Sequence, residues 1–364
     1  MKRLFLVAGA RPNFMKIAPI IRELRKVKHL TSLVIHTGQH YDREMSRIFF
    51  DDLAIPRPDV DLEVGSGSHA VQTAKIMMRF EEACLTHKPD LIMVVGDVNS
   101  TIACTLVACK LGIKTAHVEA GLRSFDRSMP EEINRILTDA ISDILFVTCE
   151  DALSNLMREG IDERKMHFVG NVMIDTLVQH LQRAKEHSRI HETLQIKAQD
   201  YAVLTMHRPS NVDNPRHLKN IFGALEKVSE NVPLIFPCHP RTAKMIHDNN
   251  ISISSKISFI SPLGYLDFLK LIAEACFALT DSGGIQEETT ILDVPCLTLR
   301  ENTERPITIT QGTNILVGID PEKIIKESMN ILNGTIKKGS KPKLWDGQAA
   351  GRIVAVLSSY FNYT

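Results

Sequence analysis

Residues 281–288 read DSGGIQEE, directly after the apolar run CFALT (276–280) and ahead of TTIL. A short apolar run is a buried-strand pattern, and TTIL can continue a helix. Strand, Gly-Gly turn and helix start, in that order, make an anion cradle. Gly283 and Gly284 let the backbone approach a ligand closely, and the first helical N–H groups have no partner within the helix. Glu287 and Glu288, one turn further in, suit hydroxyls better than phosphate. A diphosphate on the helix end and a ribose on an acid together describe a nucleotide sugar. The competing reading is an ordinary strand–turn–helix with a glycine-rich bend, so the octapeptide needs support from the rest of the chain.

Outward from it, short β-rich runs alternate with helical periods along the whole sequence, the pattern of parallel α/β layering. The first half predicts strands at 4–8, 32–37, 91–95, 115–118 and 144–148, with helices at 16–27, 70–86, 100–111, 131–141 and 150–159. The second half predicts strands at 202–206, 234–237, 257–260, 276–280 and 296–299. Its helices fall near 215–230, 241–248, 265–274, 285–292 and 321–333. Residues 172–199, helical and then charged (RAKEHSRIHE), read as the connection, and 347–360 as a closing helix. The expectation is two doubly wound, Rossmann-like α/β domains, 1–171 and 172–346, with a cleft between them. Ligands in such sheets bind beyond the carboxyl ends of the strands.

Composition excludes several classes. The 364 residues are enough for two cores, and Lys+Arg and Asp+Glu are both 43, so no nucleic-acid or membrane surface is expected. Seven cysteines without CxxC or a Cys/His cluster of zinc spacing predict reduced thiols in a cytoplasm and no metal. No strand is followed by GxGxxG, which argues against a nicotinamide cofactor; a sugar epimerase without a hydride carrier must work by proton transfer or elimination.

The strand ends carry the candidates. Arg11 and Lys16, at the turn into a helix after the first strand, fit a diphosphate. Asp97 in GDVNST sits either at substrate or at a helix N-cap near Thr101. Glu119 ends an apolar strand in HVEAGLR, with Arg123 nearby to hold it. Glu131 in PEEINR either opens a helix or works in catalysis. Three carboxylates on adjacent loops are what proton abstraction and delivery need. In the second half, His207 (MHRPSN) suits proton transfer or phosphate, His239 (FPCHPRT) suits added positive charge, and Arg305 (RENTERP) suits the cradle.

Taken in order, GARPNFMKIAP (9–19), GQHYD (38–42), GDVNST, HVEAGLR, PEEINR, MHRPSN, DSGGIQEE and ENTERP (301–306) make a sequence that resembles the non-hydrolysing UDP-N-acetylglucosamine 2-epimerases over most of its length. The resemblance implies a GT-B-like fold with the closing helix 347–364 packed back on the first domain, and a homodimer. It also implies interconversion of UDP-GlcNAc and UDP-ManNAc without NAD or metal. By motif, Asp97, Glu119 and Glu131 correspond to catalytic acids, with His207 assisting. Arg11, Lys16, Phe268, Ser282, Gly283, Gly284, Glu288 and Arg305 correspond to UDP contacts, Glu288 at the ribose and Phe268 at the uracil. Gln39, His40, Arg208 and His239 are candidates for phosphate or a second ligand. Asp42 stands where activator-dependent bacterial members have a second glutamine, and HRPSN replaces an HRREN-type segment.

The implied chemistry is elimination of UDP to 2-acetamidoglucal and its re-addition after reprotonation on the other face. Related alternatives are the same chemistry on UDP-2,3-diacetamido-glucuronate, a hydrolysing epimerase, a GT-B glycosyltransferase, or a nucleotide-sugar-binding protein without turnover. A transferase has no use for carboxylates on three successive loops.

Overall fold

The computed structural model of the chain describes residues 1–38, 53, 55, 57–251 and 253–362. It comprises two compact units, Met1–Gln179 with Lys343–Thr364, and His180–Pro342.

The first unit is built on a parallel sheet of β1 (Lys2–Ala8), β2 (Leu30–His36), β3 (Val60–Asp61), β4 (Leu91–Val95), β5 (Lys114–Ala120), β6 (Ile144–Val147) and β7 (Met166–Phe168). Its spatial order is β3-β2-β1-β4-β5-β6-β7. All five residues of β4, LIMVV, are buried. A parallel strand covered on both faces has no polar side to show, so its sequence is an unbroken apolar run. Helices α1 (Arg11–Leu24), α2 (His69–His87), α3 (Asn99–Lys110), α4 (Pro130–Ile141), α5 (Glu150–Arg158) and α6 (Val172–His187) follow in chain order. In sequence the order turns back between β1 and β4, and that reversal opens a crevice beyond the strand ends.

The second unit repeats the plan with β8 (Ala202–Thr205), β9 (Leu234–Pro237), β10 (Ile257–Ile260), β11 (Phe277–Thr280), β12 (Cys296–Thr298) and β13 (Asn314–Leu316), all parallel, in the order β10-β9-β8-β11-β12-β13. Its main helices are α7 (Pro215–Ser229), α8 (Pro240–Asp248), α9 (Tyr265–Ala273), α10 (Gly283–Leu292) and α11 (Pro321–Leu332). Leu204, Phe236, Phe277, Leu279 and Leu297 fill the core, and the reversal falls between β8 and β11. The final helix, α12 (Ala349–Asn362), belongs to the first unit and packs on α1. Its first N–H groups, at Ala349 and Ala350, are capped by the Asp175 carboxylate at 3.0 and 2.7 Å.

All ten strands read from the sequence are present, with ends displaced by a residue or two. β3, β7 and β13, two or three residues each, were not read. They lie at sheet edges, where pairing with one neighbour suffices and no apolar run is required. α1 starts at Arg11 rather than 16 because Pro12, with its φ already helical and no N–H to lose, opens the first turn. Residues 172–187, read as connection, form the single helix α6. Among the described residues no helix is long and apolar enough to cross a membrane.

Candidate active site

In the first unit the ends of β1, β4 and β5 are tied together by side chains. Asn13 accepts from the N–H groups of Gly9 (3.1 Å) and Ala10 (2.9 Å) and donates to the Val95 carbonyl (3.0 Å), joining the β1 turn to the end of β4. Lys16, in the second turn of α1, is buried and its ammonium closes directly on the Glu119 carboxylate. That corrects the sequence reading twice. Because the helix begins at Arg11, Lys16 is too far along to stand at its mouth. The partner of Glu119 is Lys16, while Arg123 turns to Asp139 (2.7 Å) and Glu159 (2.6 Å).

Glu119 itself is the irregular residue of its strand. The β5–β6 register shifts between Val118 and Ala120, and Glu119 takes φ +75°, a region where a residue with a Cβ is strained. A bulge of this kind re-aims one side chain at a strand end. Gly96, with φ +68°, leaves the space: a Cβ there would lie 3.1 Å from the Lys16 ammonium and 3.6 Å from Glu119 Oε2.

Asp97 is not the N-cap of α3. That helix starts at Asn99, and Val98 precedes it without a side-chain cap. The Asp97 carboxylate instead accepts from Arg135 Nη2 at 2.7 Å, and its carbonyl accepts from Asn134 Nδ2 at 2.9 Å. Arg135, buried, also binds Glu132 (2.9 Å), whose carboxylate holds the N–H groups of Ser124 and Phe125. Of the two acids in PEEINR, Glu132 therefore does the structural work. Glu131 is half-buried in the first turn of α4.

Gln39, His40 and Asp42 lie outside the described residues, as does the side chain of Arg11, whose backbone is the first residue of α1.

In the second unit Asp281, fully buried, organises the end of β8. It accepts from the N–H groups of His207 (3.0 Å) and Arg208 (2.9 Å) and from Asn211 Nδ2 (3.2 Å), with His207 Nδ1 at 3.1 Å. Burial pushes its proton affinity up, yet these donors, led by the His207 side chain, hold the carboxyl below its usual range. The His207 imidazole stays open to solvent, with 54% of its side chain exposed.

Ser282 precedes α10, and Gly283 and Gly284 are its first residues. The cradle is already furnished with charge. A Cβ on Gly283 would collide with the Arg305 guanidinium. Arg305 is buried and reaches Glu287 (2.7 Å) and Glu304 (2.5 Å). Glu304 also meets Arg300 (2.8 Å) and Arg208 (3.4 Å). Glu288 is buried and accepts from the Tyr265 hydroxyl at 3.3 Å. Burial, with Glu287 adding repulsion, pushes its carboxyl up to about 8. Phe268 is half-buried against a cluster that includes Tyr201, Val203 and Leu271. His239 corrects its reading: Nδ1 accepts from the Arg241 N–H (3.2 Å), so the ring caps α8 and does not present that nitrogen as a charged donor.

Arg300, Glu304, Tyr265, Asp139 and Arg135 were not singled out from the sequence as site residues. All but Tyr265 and Asp139 stand inside the quoted motifs or beside one, which was the available signal.

A family model for UDP-N-acetylglucosamine 2-epimerase matches residues 22–358. The chain belongs to the UDP-N-acetylglucosamine 2-epimerase family. A family member from Methanocaldococcus jannaschii, named UDP-N-acetylglucosamine 2-epimerase, is 46% identical over 98% of this chain and 99% of its own. The crystal structure of that enzyme in complex with UDP-GlcNAc and UDP superposes with a TM-score of 0.92, covering 98% of this chain and 99% of the other. A Pseudomonas aeruginosa relative, named UDP-2,3-diacetamido-2,3-dideoxy-D-glucuronate 2-epimerase, is 39% identical, with 98% of this chain and 99% of the relative covered. A sucrose-phosphate synthase from Thermosynechococcus elongatus shares the fold alone, at 12% identity and a TM-score of 0.67 over the full length of both chains. The fold is thus the GT-B class expected from the resemblance.

Proposed function

We propose that the protein inverts carbon 2 of a UDP-N-acetylamino sugar, interconverting UDP-GlcNAc and UDP-ManNAc. The observation that carries this reading is a pair of cation-held carboxylates on neighbouring strand ends. Glu119 sits on a strained bulge against Lys16, and Asp97 is held by Arg135. The proton on C2 has no adjacent carbonyl to make it acidic, so it leaves only as the bond from C1 to the UDP oxygen breaks. One carboxylate takes the proton, the C1–C2 double bond of 2-acetamidoglucal forms, and UDP departs with the bonding pair. A proton returned to the opposite face of C2, with UDP re-adding at C1, completes inversion with all atoms conserved. Asp97, Glu119 and Glu131 are the proposed proton-transfer groups, assisted by His207. Holding UDP while it is detached falls to Arg305, Ser282, Gly283 and Gly284 for phosphate, Glu288 for ribose and Phe268 for uracil, with Arg11 adding positive charge. Lys16, given its position, serves the carboxylate first.

The test is incubation with UDP-GlcNAc in heavy water without added NAD, followed by proton NMR. Deuterium should appear at C2 of both sugars; retention of the C2 proton in an equilibrated mixture would sink the elimination mechanism. The Pseudomonas relative motivates a second reading, the same chemistry on the diacetamido uronate. Exchange with that sugar and none with UDP-GlcNAc would select it.

The homodimer belongs to this proposal too. Val71, Met78 and Leu85 on α2 and Ile133 and Leu137 on α4 are exposed large apolar residues on two helices that both pack on α3. Clustered apolar exposure of this kind marks an interface. Sedimentation equilibrium should give twice the chain mass, and Met78→Glu should lower it. All seven cysteines are free thiols, which supports a cytoplasmic setting.

A further inference from the structure

HVEAGLR contains a residue that the mechanism has not used. His117 lies on β5, fully buried, with its ring spanning two elements. Its Nδ1 is 2.7 Å from Asp139 Oδ1 on α4, and its Nε2 is 2.8 Å from the Gly96 carbonyl at the end of β4. A carbonyl oxygen can only accept. Asp139 behaves as an acceptor as well, since its other oxygen takes the Gly121 N–H (3.0 Å) and the Arg123 guanidinium (2.7 Å). Burial works against its charge, but His117 and Arg123 hold its carboxyl below the usual range. A neutral imidazole has one N–H and would leave a lone pair facing one of these oxygens. Two donating ring nitrogens would satisfy both oxygens.

The partners' positions matter as much as their charge. Gly96 immediately precedes Asp97, and Gly121 follows Glu119 by two residues. The His117–Asp139 pair therefore grips the backbone next to both proposed proton-transfer carboxylates, at the end of β4 and just after the bulge of β5. Arg123 closes the cluster, joining the buried Asp139 to the exposed Glu159 on its outer side.

We infer that His117 is a buried imidazolium which, with Asp139, sets the separation and aim of Asp97 and Glu119, making the pair positioning residues for proton transfer at C2. This rests on the epimerase reading for its consequence but not for the protonation state.

The experiment has two arms. Nitrogen-15 NMR of the wild-type protein labelled at histidine, assigned with His117→Asn, should show both His117 ring nitrogens protonated near neutral pH; a neutral tautomer overturns the inference whatever the activity. In the second arm, Asp139→Asn lets a carboxamide N–H face a neutral His117, preserving shape while removing charge. His117→Phe removes both hydrogen bonds of the ring, to the Gly96 carbonyl and to Asp139. With folded variants, measured well below their melting temperatures, His117→Phe should lower kcat by about 100-fold, as expected for reacting groups misplaced by an ångström. KM should stay within about threefold. Asp139→Asn should lower kcat by about tenfold and displace the pH–kcat profile, because the imidazolium on the Gly96 carbonyl is lost along with the Asp139 carboxylate. An unchanged kcat and pH profile in both variants, or loss of stability alone, overturns the positioning role. A variant that does not fold leaves the NMR arm to decide. Absence of C2 exchange in the wild type would instead refute the epimerase reading.

Discussion

At the strand ends of the first unit, three cations are spread over five carboxylates: Lys16 on Glu119, Arg135 on Asp97 and Glu132, Arg123 on Asp139 and Glu159. At the strand ends of the second unit, three guanidiniums, from Arg208, Arg300 and Arg305, gather on Glu304, while Glu288 is pushed towards its protonated form. Cations that each hold one or two acids fix the carboxylates in place and suit groups that must abstract and return a proton. Guanidiniums gathered at a helix mouth suit an incoming polyanion, which can take over from Glu304. The two edges share a fold plan and differ in what they do with buried charge.

The comparison is broken most severely by removing the acids of the first unit. Asp97→Asn and Glu119→Gln should each lower turnover by about 10²–10⁴-fold, with UDP binding nearly intact by calorimetry. Wild-type turnover in either variant would take that residue off the catalytic list. Arg305→Ala attacks the other edge and should act in the opposite sense, on binding more than chemistry. It takes the guanidinium from the buried Glu287 and leaves Glu304 to Arg300 and Arg208, which should cost about 1–3 kcal/mol of stability, read as a lowered melting temperature. UDP affinity should fall with it; an unaltered Kd would show that the guanidinium does not meet phosphate.

A milder probe is Gly283→Ala. Its methyl group would meet the Arg305 guanidinium, and relieving the overlap should cost about 1–3 kcal/mol, chiefly in UDP affinity. An unchanged Kd would argue against the cradle as the phosphate site. Smallest is the pH effect of Glu288. Its folded carboxyl, at about 8, stands above its ordinary 4.5, so from 4.5 up to about 8 the folded state retains a proton that the unfolded chain has lost. Stability from this group therefore falls as pH rises through that window and is level beyond it. Glu288→Gln should flatten the melting-temperature profile there, and a slope as steep as wild type would show that Glu288 is not its source.

Much of this contrast was legible in the chain. Long apolar runs such as LIMVV announce central strands, and the motifs at their carboxyl ends name the loops that carry chemistry. The Asp97, Glu119 and Arg305 candidates all fall at such ends. What the motifs could not convey is which charge meets which. Arg123, four residues from Glu119 in HVEAGLR, reads as its partner, whereas Lys16 is 103 residues away in the chain. His239 looked like added charge because its capping role depends on the turn into α8. α1 was placed late because Lys16 seemed to belong to the loop, although Pro12 had already opened the helix.

Strand and helix positions, the repeated α/β plan and the family are properties of the amino-acid sequence itself. Burial periodicity and turn chemistry act over a few residues and survive being read one window at a time. The Lys16–Glu119 contact, the bulge that aims Glu119, the reach of Arg208 to Glu304 and the His117 bridge were decided by the order of strands in each sheet. That order brings distant strand ends side by side, and in a buried, poorly screened interior a carboxylate is governed by whichever cation arrives there rather than by its neighbours in sequence.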